Sequence, residues 1–210
     1  MIRAKWPLLL AAAAVACGAA VERSEKSSGG SVGAPQDTIG PAAPPGAPAS
    51  DFPTPMRPVA DIVAPRWSDE DDRDDVGEFT RVVQLARIGR GQRVADIGAG
   101  SGYHTVRLSK VVGAKGRVIA QDVMDSYLTD LKSEVARRRL KNVEIVLGTP
   151  ADPNLPPASV DRAILIHMYH EIAQPYGLIW NLADALKPGA KVGVEDLDGG
   201  DEGDASLDET

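Results

Sequence analysis

At 210 residues the chain is long enough for one globular domain with appendages and too short for two ordinary ones. Hydrophobic residues make up 43% and charged residues 25%, which excludes a multi-span membrane protein and a chain disordered throughout. A formal net charge of −7 argues against nucleic acid as a partner, and the single cysteine, Cys17, excludes an internal disulfide or a cysteine-based zinc site.

Met1 to Lys5 form a short basic head, and an apolar run from Trp6 to Ala16 follows it and ends at Cys17. A bilayer core of ~30 Å takes ~20 residues, so residues 1–17 read as a secretory signal and not as a span. Ala14, Val15, Ala16 and Cys17 resemble the lipobox of bacterial lipoproteins. That resemblance implies cleavage before Cys17, lipidation of its side chain, and an exported protein in the periplasm or attached to a membrane through Cys17.

Residues 18–66 carry Pro35, Pro41, Pro44, Pro45, Pro48, Pro53, Pro55 and Pro58 among Gly, Ser and Ala, with few large apolar side chains. Such a stretch buries too little surface to offset its ordering entropy, so it is expected to be a disordered, semi-extended tether. Residues 67–196 hold the periodic patterns of a domain. From 196 to 210 the chain has seven acids and no basic residue, and these seven equal the whole net charge. Residues 197–210 are therefore expected to be an acidic, disordered tail.

Within the domain, Ser68 precedes the acidic run Asp69 to Asp75, an N-cap followed by carboxylates in a first turn. Val76, Phe79, Val83 and Ala86 then fall on one helical face, and Gly89 and Gly91 end the pattern. Short runs rich in β-branched residues predict strands at 94–97, 117–121, 143–147, 163–166 and 191–194. Helical spacings lie between them: Thr105, Leu108 and Val112; Met124, Leu128, Leu131 and Val135; Leu178, Leu182 and Leu186. Strands alternating with helices, with no hairpin signal, predict an α/β fold with a doubly wound, mostly parallel sheet. Its ligand belongs at the carboxyl ends of the strands, near the switch point beside the first one.

The first predicted strand runs into Asp96, Ile97, Gly98, Ala99, Gly100, Ser101 and Gly102. Glycines there let the chain turn sharply and let a ligand approach bare backbone. A dinucleotide fingerprint, G-x-G-x-x-G, would need Gly where Tyr103 stands, which disfavours a nicotinamide enzyme. The carboxylate of Asp96, two residues before the first Gly, would repel a pyrophosphate and suits a ligand bearing ammonium and sulfonium groups.

VADIGAGSGYHTVRLSK resembles the first motif of class I S-adenosylmethionine (SAM) dependent methyltransferases, acid-x-Gly-x-Gly-x-Gly. Arg117 to Asp122 is similar to that family's second strand with its terminal acid, LPPASVDRAILI to the lead into the fourth strand, and LKPGAK to the turn before the fifth. The resemblance implies a Rossmann-like methyltransferase fold that uses SAM. It implies Gly98, Gly100 and Gly102 along the methionine part of the cofactor, Asp96 ordering the loop, Asp122 on the ribose hydroxyls and Asp152 at the adenine. The family's sheet has seven strands, so with the polar run after Val194 a C-terminally truncated sheet lacking the last two is expected.

Methyl transfer is an in-line displacement that needs a base only if the acceptor carries a proton. The segment after the fourth strand, His167, Met168, Tyr169, His170 and Glu171, offers His170 as that base and Glu171 as its partner or a substrate contact. His167, His170 and Glu171 fit neither H-E-x-x-H nor H-x-x-E-H, so no metal is expected. The function implied is SAM-dependent methyl transfer to a small molecule or envelope component. The alternative is a lipid-anchored, methyltransferase-like domain with a binding or structural role and no catalysis.

Overall fold

The computed structural model describes residues 46–62 and 70–196. Residues 1–17 with Cys17, residues 18–45 and 63–66 of the expected tether, Ser68 and the tail 197–210 lie outside the described residues.

Five strands form one parallel sheet: β1 (Arg93–Ile97), β2 (Arg117–Asp122), β3 (Val143–Leu147), β4 (Val160–Ile166) and β5 (Leu186–Glu195), in the order β3-β2-β1-β4-β5. This is the doubly wound α/β arrangement that the alternation of periods predicts. Helices α1 (Glu70–Asp75) and α2 (Glu78–Leu85) precede the sheet, while α3 (Tyr103–Val112), α4 (Asp125–Arg137) and α5 (Pro175–Ala185) form crossovers.

Side chains alternate across the sheet with period two, so each strand feeds both faces. Val94 and Ile164 pack with Val82, Leu108 and Val112 on one face; Ala95, Ile97, Ala163 and Leu165 pack with Leu178 and Leu182 on the other. Leu128 and Leu131 of α4 cover Ala120 and Ile145. Each fully buried Leu or Ile contributes ~1.5–3 kcal/mol relative to exposure, which is why the apolar spacings locate these helices.

Four local features depart from the sequence expectation. The single helix expected across Val76 is broken at Gly77, which is left-handed at φ 68°, and Val76 is exposed. The break turns Glu78 inward, where it is buried. Helix α2 ends on Arg87 and not on Gly89: Arg87 sits at φ 53°, with Arg87 N–H donating to Gln84 O and Ile88 N–H to Val83 O. The same Schellman closure ends α4 at Arg139, φ 54°, with Arg139 N–H donating to Ala136 O and Leu140 N–H to Val135 O. Leu186, expected on the last helix, instead opens β5. It pairs with Val160, and LKPGAK bulges out before Lys191 rejoins β4 at Arg162.

The fourth departure concerns the tether. Residues 46–62 lie against the domain. Asn181 of α5 donates to Ala47 O (2.9 Å) and accepts from Ala47 N–H (2.8 Å), and Phe52 packs against Trp180 with ring centroids 6.2 Å apart. A Cβ on Gly46 would overlap the Asn181 side chain and come within 2.7 Å of that of Asp152, so a larger residue there would have to displace the two groups that hold the segment. Proline pre-sets much of the backbone here, which reduces the entropy lost on docking.

An L-residue in the left-handed region costs ~1–2 kcal/mol, partly offset by the greater unfolded-state entropy of glycine, ~0.5–1 kcal/mol. Arg139→Gly is therefore expected to stabilise the fold by about 0.5–1 kcal/mol in urea unfolding; a lowered midpoint would contradict the Schellman assignment.

Candidate active site

The order of strands reverses between β1 and β4, and the crossover helices leave a crevice at the carboxyl ends of those two strands. A cavity of about 390 Å³ lies there, lined among others by Asp96, Gly98, Gly100, Asp122, Tyr127, Thr149, Met168 and Glu171.

The three glycines of the loop take different parts. Gly98 and Gly100 line the cavity, both left-handed at φ 69° and 53°. A Cβ on Gly98 would come within 2.8 Å of the Met168 side chain, whereas one on Gly100 would meet open space. Gly102 does not line this cavity; it starts α3 at φ 96° and lies against Leu131 of α4, so its lack of a side chain serves helix packing.

Asp122, at the end of β2, holds the loop: its Oδ2 accepts from Gly100 N–H at 2.8 Å and its Oδ1 from Met124 N–H at 2.9 Å. Each carboxylate oxygen retains a further lone pair for a ligand in the cavity. Asp96, at 3% exposure, accepts from the Thr105 hydroxyl at 2.6 Å. Burial pushes the Asp96 carboxyl up to about 6, with the Thr105 bond pulling the other way, so it is an anion at neutral pH.

Asp152 stands outside the cavity wall. Its Oδ2 accepts from Gly46 N–H at 2.6 Å and its Oδ1 from Asn154 N–H at 2.8 Å, and Thr149 and Pro150 line the cavity in that stretch. Glu171 lines the cavity, whereas His170 is not among the lining residues. Asp196 orients His170 from behind: its Oδ1 lies 2.6 Å from Nδ1 and its Oδ2 accepts the His170 backbone N–H at 2.8 Å. The other ring nitrogen, Nε2, is 3.9 Å from Glu171 Oε1.

A second cluster forms another part of the wall: Arg73, Tyr103, His104 and His167 line the cavity, and buried Glu78, which no local sequence pattern marks, joins them from behind. Glu78 accepts from Arg73 at Oε1 (Nε at 2.9 Å) and bonds His167 Nε2 at Oε2 (3.0 Å), with His104 Nε2 at 3.4 Å. Burial alone would raise the Glu78 carboxyl, but the bonds from His167 and Arg73 outweigh it and hold it at about 2. His104 is driven down to about 3 by burial and by the Arg73 charge, so it is a neutral imidazole. Glu195, also buried, is pushed upward by desolvation and by the Glu78 charge. Tyr103 is tied into the same group, donating to Asp74 at 2.7 Å, with the Arg73 and Arg107 guanidinium carbons each 3.9 Å from its ring centroid. His167 closes the cluster in the left-handed region, φ 55°, its N–H donating to Glu195 O at 2.8 Å. Strain of that kind persists where surrounding contacts over-determine it.

Residues 76–185, just over half of the chain, match the family model described as protein-L-isoaspartate(D-aspartate) O-methyltransferase. The chain belongs to this protein-L-isoaspartate O-methyltransferase family. A protein-L-isoaspartate O-methyltransferase of Methanococcus maripaludis is 35% identical over 75 residues, 36% of this chain and 35% of that protein. Aklanonic acid methyltransferase DauC of Streptomyces sp. is 26% identical over 125 residues, 58% of this chain and 57% of its own length. The chain thus spans between about a third and just over half of these relatives. Among solved structures, a SAM-dependent methyltransferase from Aquifex aeolicus superposes with TM-score 0.55 at 27% identity, covering 61% of this chain and 72% of that one. The [4+2]-cyclase SpnF shares the fold at TM-score 0.55 and 19% identity, over 70% of this chain and 53% of its own. Membership in the family therefore comes from the sequence match, since the fold itself hosts other chemistry.

The neutral state of His104 has a thermodynamic consequence. Below pH 6.5 the unfolded chain takes up a proton at His104 that the folded chain refuses until about pH 3. Its contribution to stability is then present above 6.5 and lost progressively as pH falls towards 3. The stability difference between wild type and His104→Gln, measured by urea unfolding at a series of pH values, is expected to shrink across that window. A difference independent of pH would show that His104 takes up its proton as readily in the folded chain as in the unfolded one.

Proposed function

We propose that the chain is a SAM-dependent methyltransferase acting on a small-molecule or envelope acceptor. The observation that carries this reading is the placement of two carboxylates, Asp96 and Asp122, beside the bare backbone of Gly98 and Gly100 in one cavity. The residues fit the cofactor chemically. SAM carries two cationic groups and a ribose, and the cavity offers a buried anion, a carboxylate at the end of β2, and a backbone that leaves space for close approach. Its volume lies within the ~300–1,000 Å³ common for such ligands. Membership in the methyltransferase family and the likeness to the Aquifex aeolicus protein support the same reading.

Bound there, SAM supplies an electrophilic methyl group on a cationic sulfur. Asp96 sets the negative potential that favours that cation over a pyrophosphate. Asp122 accepts from the ribose hydroxyls while holding the Gly100 turn. The apolar walls from Ile97, Ile166, Met168, Ile172 and Leu178 exclude water from the reacting atoms. Glu171, backed by His170 and Asp196, is the candidate to receive a proton or to orient the acceptor.

Calorimetry of the full chain with SAM tests the binding half. Asp122→Asn should weaken SAM about tenfold or more, the equivalent of losing a hydrogen bond to a charged group. Affinity should rise with pH through about 6 as Asp96 ionises and level off above it, and Asp96→Asn should abolish that rise. Binding that is indifferent to Asp122 and to pH would overturn the assignment of the cavity. Release of S-adenosylhomocysteine with envelope extract tests the catalytic half; binding without release would favour the non-catalytic role.

For the N-terminus we propose export and lipid attachment at Cys17, supported by the basic head, the short apolar run and the lipobox-like Ala14 to Cys17. Cys17→Ser is expected to move the protein from the membrane fraction to the soluble one, and unchanged sedimentation would refute lipidation.

A further inference from the structure

We propose that residues 46–62 are a working part of the binding site and not a spacer, with Arg57 the positioning residue that sets the cavity wall between β4 and α5. The segment lies wholly ahead of the region that matches the family, 76–185.

The wall in question is the turn at Tyr169–Glu171 with its flanks, which present Met168, Glu171 and Ile172 to the cavity. A turn this short satisfies few of its own carbonyls: Tyr169 O accepts from Ile172 N–H at 3.2 Å, and the carbonyls of His170 and Ile172 look outside the turn for donors. Arg57 supplies them: its Nη2 donates to Tyr169 O at 2.8 Å and to Ile172 O at 3.2 Å, and its Nη1 to His170 O at 3.0 Å. The guanidinium carbon also lies 5.2 Å from the Tyr169 ring centroid. Three residues on, Ala60 N–H donates to the same His170 carbonyl at 3.1 Å. From the opposite side Asp196 holds the N–H and ring of His170. The turn is therefore clamped between the N-terminal segment and the end of β5. The segment then reaches Ile62, which itself lines the cavity.

A guanidinium is suited to this task because it presents five donors in a rigid fork, and three carbonyls diverging around one turn need such a fork; an ammonium offers only a point charge on a flexible stem. Without Arg57 the Ile172 carbonyl loses this donor, those of Tyr169 and His170 each keep one backbone N–H, and nothing ties the three together, so the side chains they carry into the cavity are free to shift. The far end of the segment is fixed independently, through Gly46 on Asp152 and Ala47 on Asn181, so Arg57 is delivered to the turn by a strap anchored at α5.

The inference rests on the methyl-transfer reading for its choice of ligand. The full chain, wild type and Arg57→Ala, is titrated with S-adenosylhomocysteine by calorimetry, and amide hydrogen exchange is followed in residues 167–173 and in β1 to β3. Arg57→Ala is expected to weaken binding about tenfold and to speed exchange at 167–173 while leaving the three strands unchanged. Millimolar N-ethylguanidinium should restore both properties, and Arg57→Lys should restore little. Wild-type binding by Arg57→Ala, exchange that quickens throughout the sheet, or failure of the guanidinium rescue would each overturn the proposal. If the wild type itself does not bind S-adenosylhomocysteine, the methyl-transfer reading fails; exchange at 167–173 then still decides whether Arg57 holds the wall.

Discussion

A parallel sheet covered on both faces by helices leaves its polar chemistry one place to gather, the carboxyl ends of the strands. There the chain stops pairing and backbone groups face a crevice. In this protein that constraint brings Asp96, Asp122, Glu195 and His167 to adjoining strand ends. Charges collected in so dry a place need partners, and much of the remaining architecture supplies them. Thr105 from α3 serves Asp96, Gly100 and Met124 serve Asp122, and Arg73 and His167 serve Glu78.

The partnering gives the crevice two groups of ionisable side chains. On the cavity side, Asp96 is a buried anion at neutral pH whose proton affinity is raised by desolvation, a penalty that a nearby cation would relieve. Beside it, Glu78 is fixed as an anion and His104 as a neutral ring. The break at Gly77 serves this second group: an unbroken helix would keep Glu78 in line with the exposed acids of α1, whereas the turn carries it behind the cavity wall.

Much of the cavity wall along β1 and β2 was legible in the sequence. The glycine loop and Asp122 are near neighbours of strand ends, and strand ends can be found from β-branched runs. Legibility stopped where a residue's partner is far away in the chain. Glu78 and His167 are 89 residues apart, and Arg57 and His170 are 113 apart. Arg73 and Glu78 lie in an acidic stretch whose periodicity describes a solvated helix, and no spacing distinguishes the carboxylate that turns inward. Asp152 shows the converse: a plausible position in the chain, two residues from Pro150, but a side chain outside the cavity lining that accepts from Gly46 and Asn154. Helix ends at Arg87 and Arg139 were hidden because a Schellman turn is recognised by its glycine, and here arginine occupies the left-handed position.

What the sequence by itself determined is the alternation of strands and helices and the presence of a glycine loop behind an aspartate. Both are local properties, set by side-chain period and by the conformations glycine allows. Only the tertiary structure decided that the third glycine packs a helix, that Glu78 anchors a buried ionic cluster, and that a proline-rich segment read as tether lies against α5 and the cavity wall. Those outcomes depend on burial and on hydrogen-bond partners from distant parts of the chain, which come into range only after the sheet has formed.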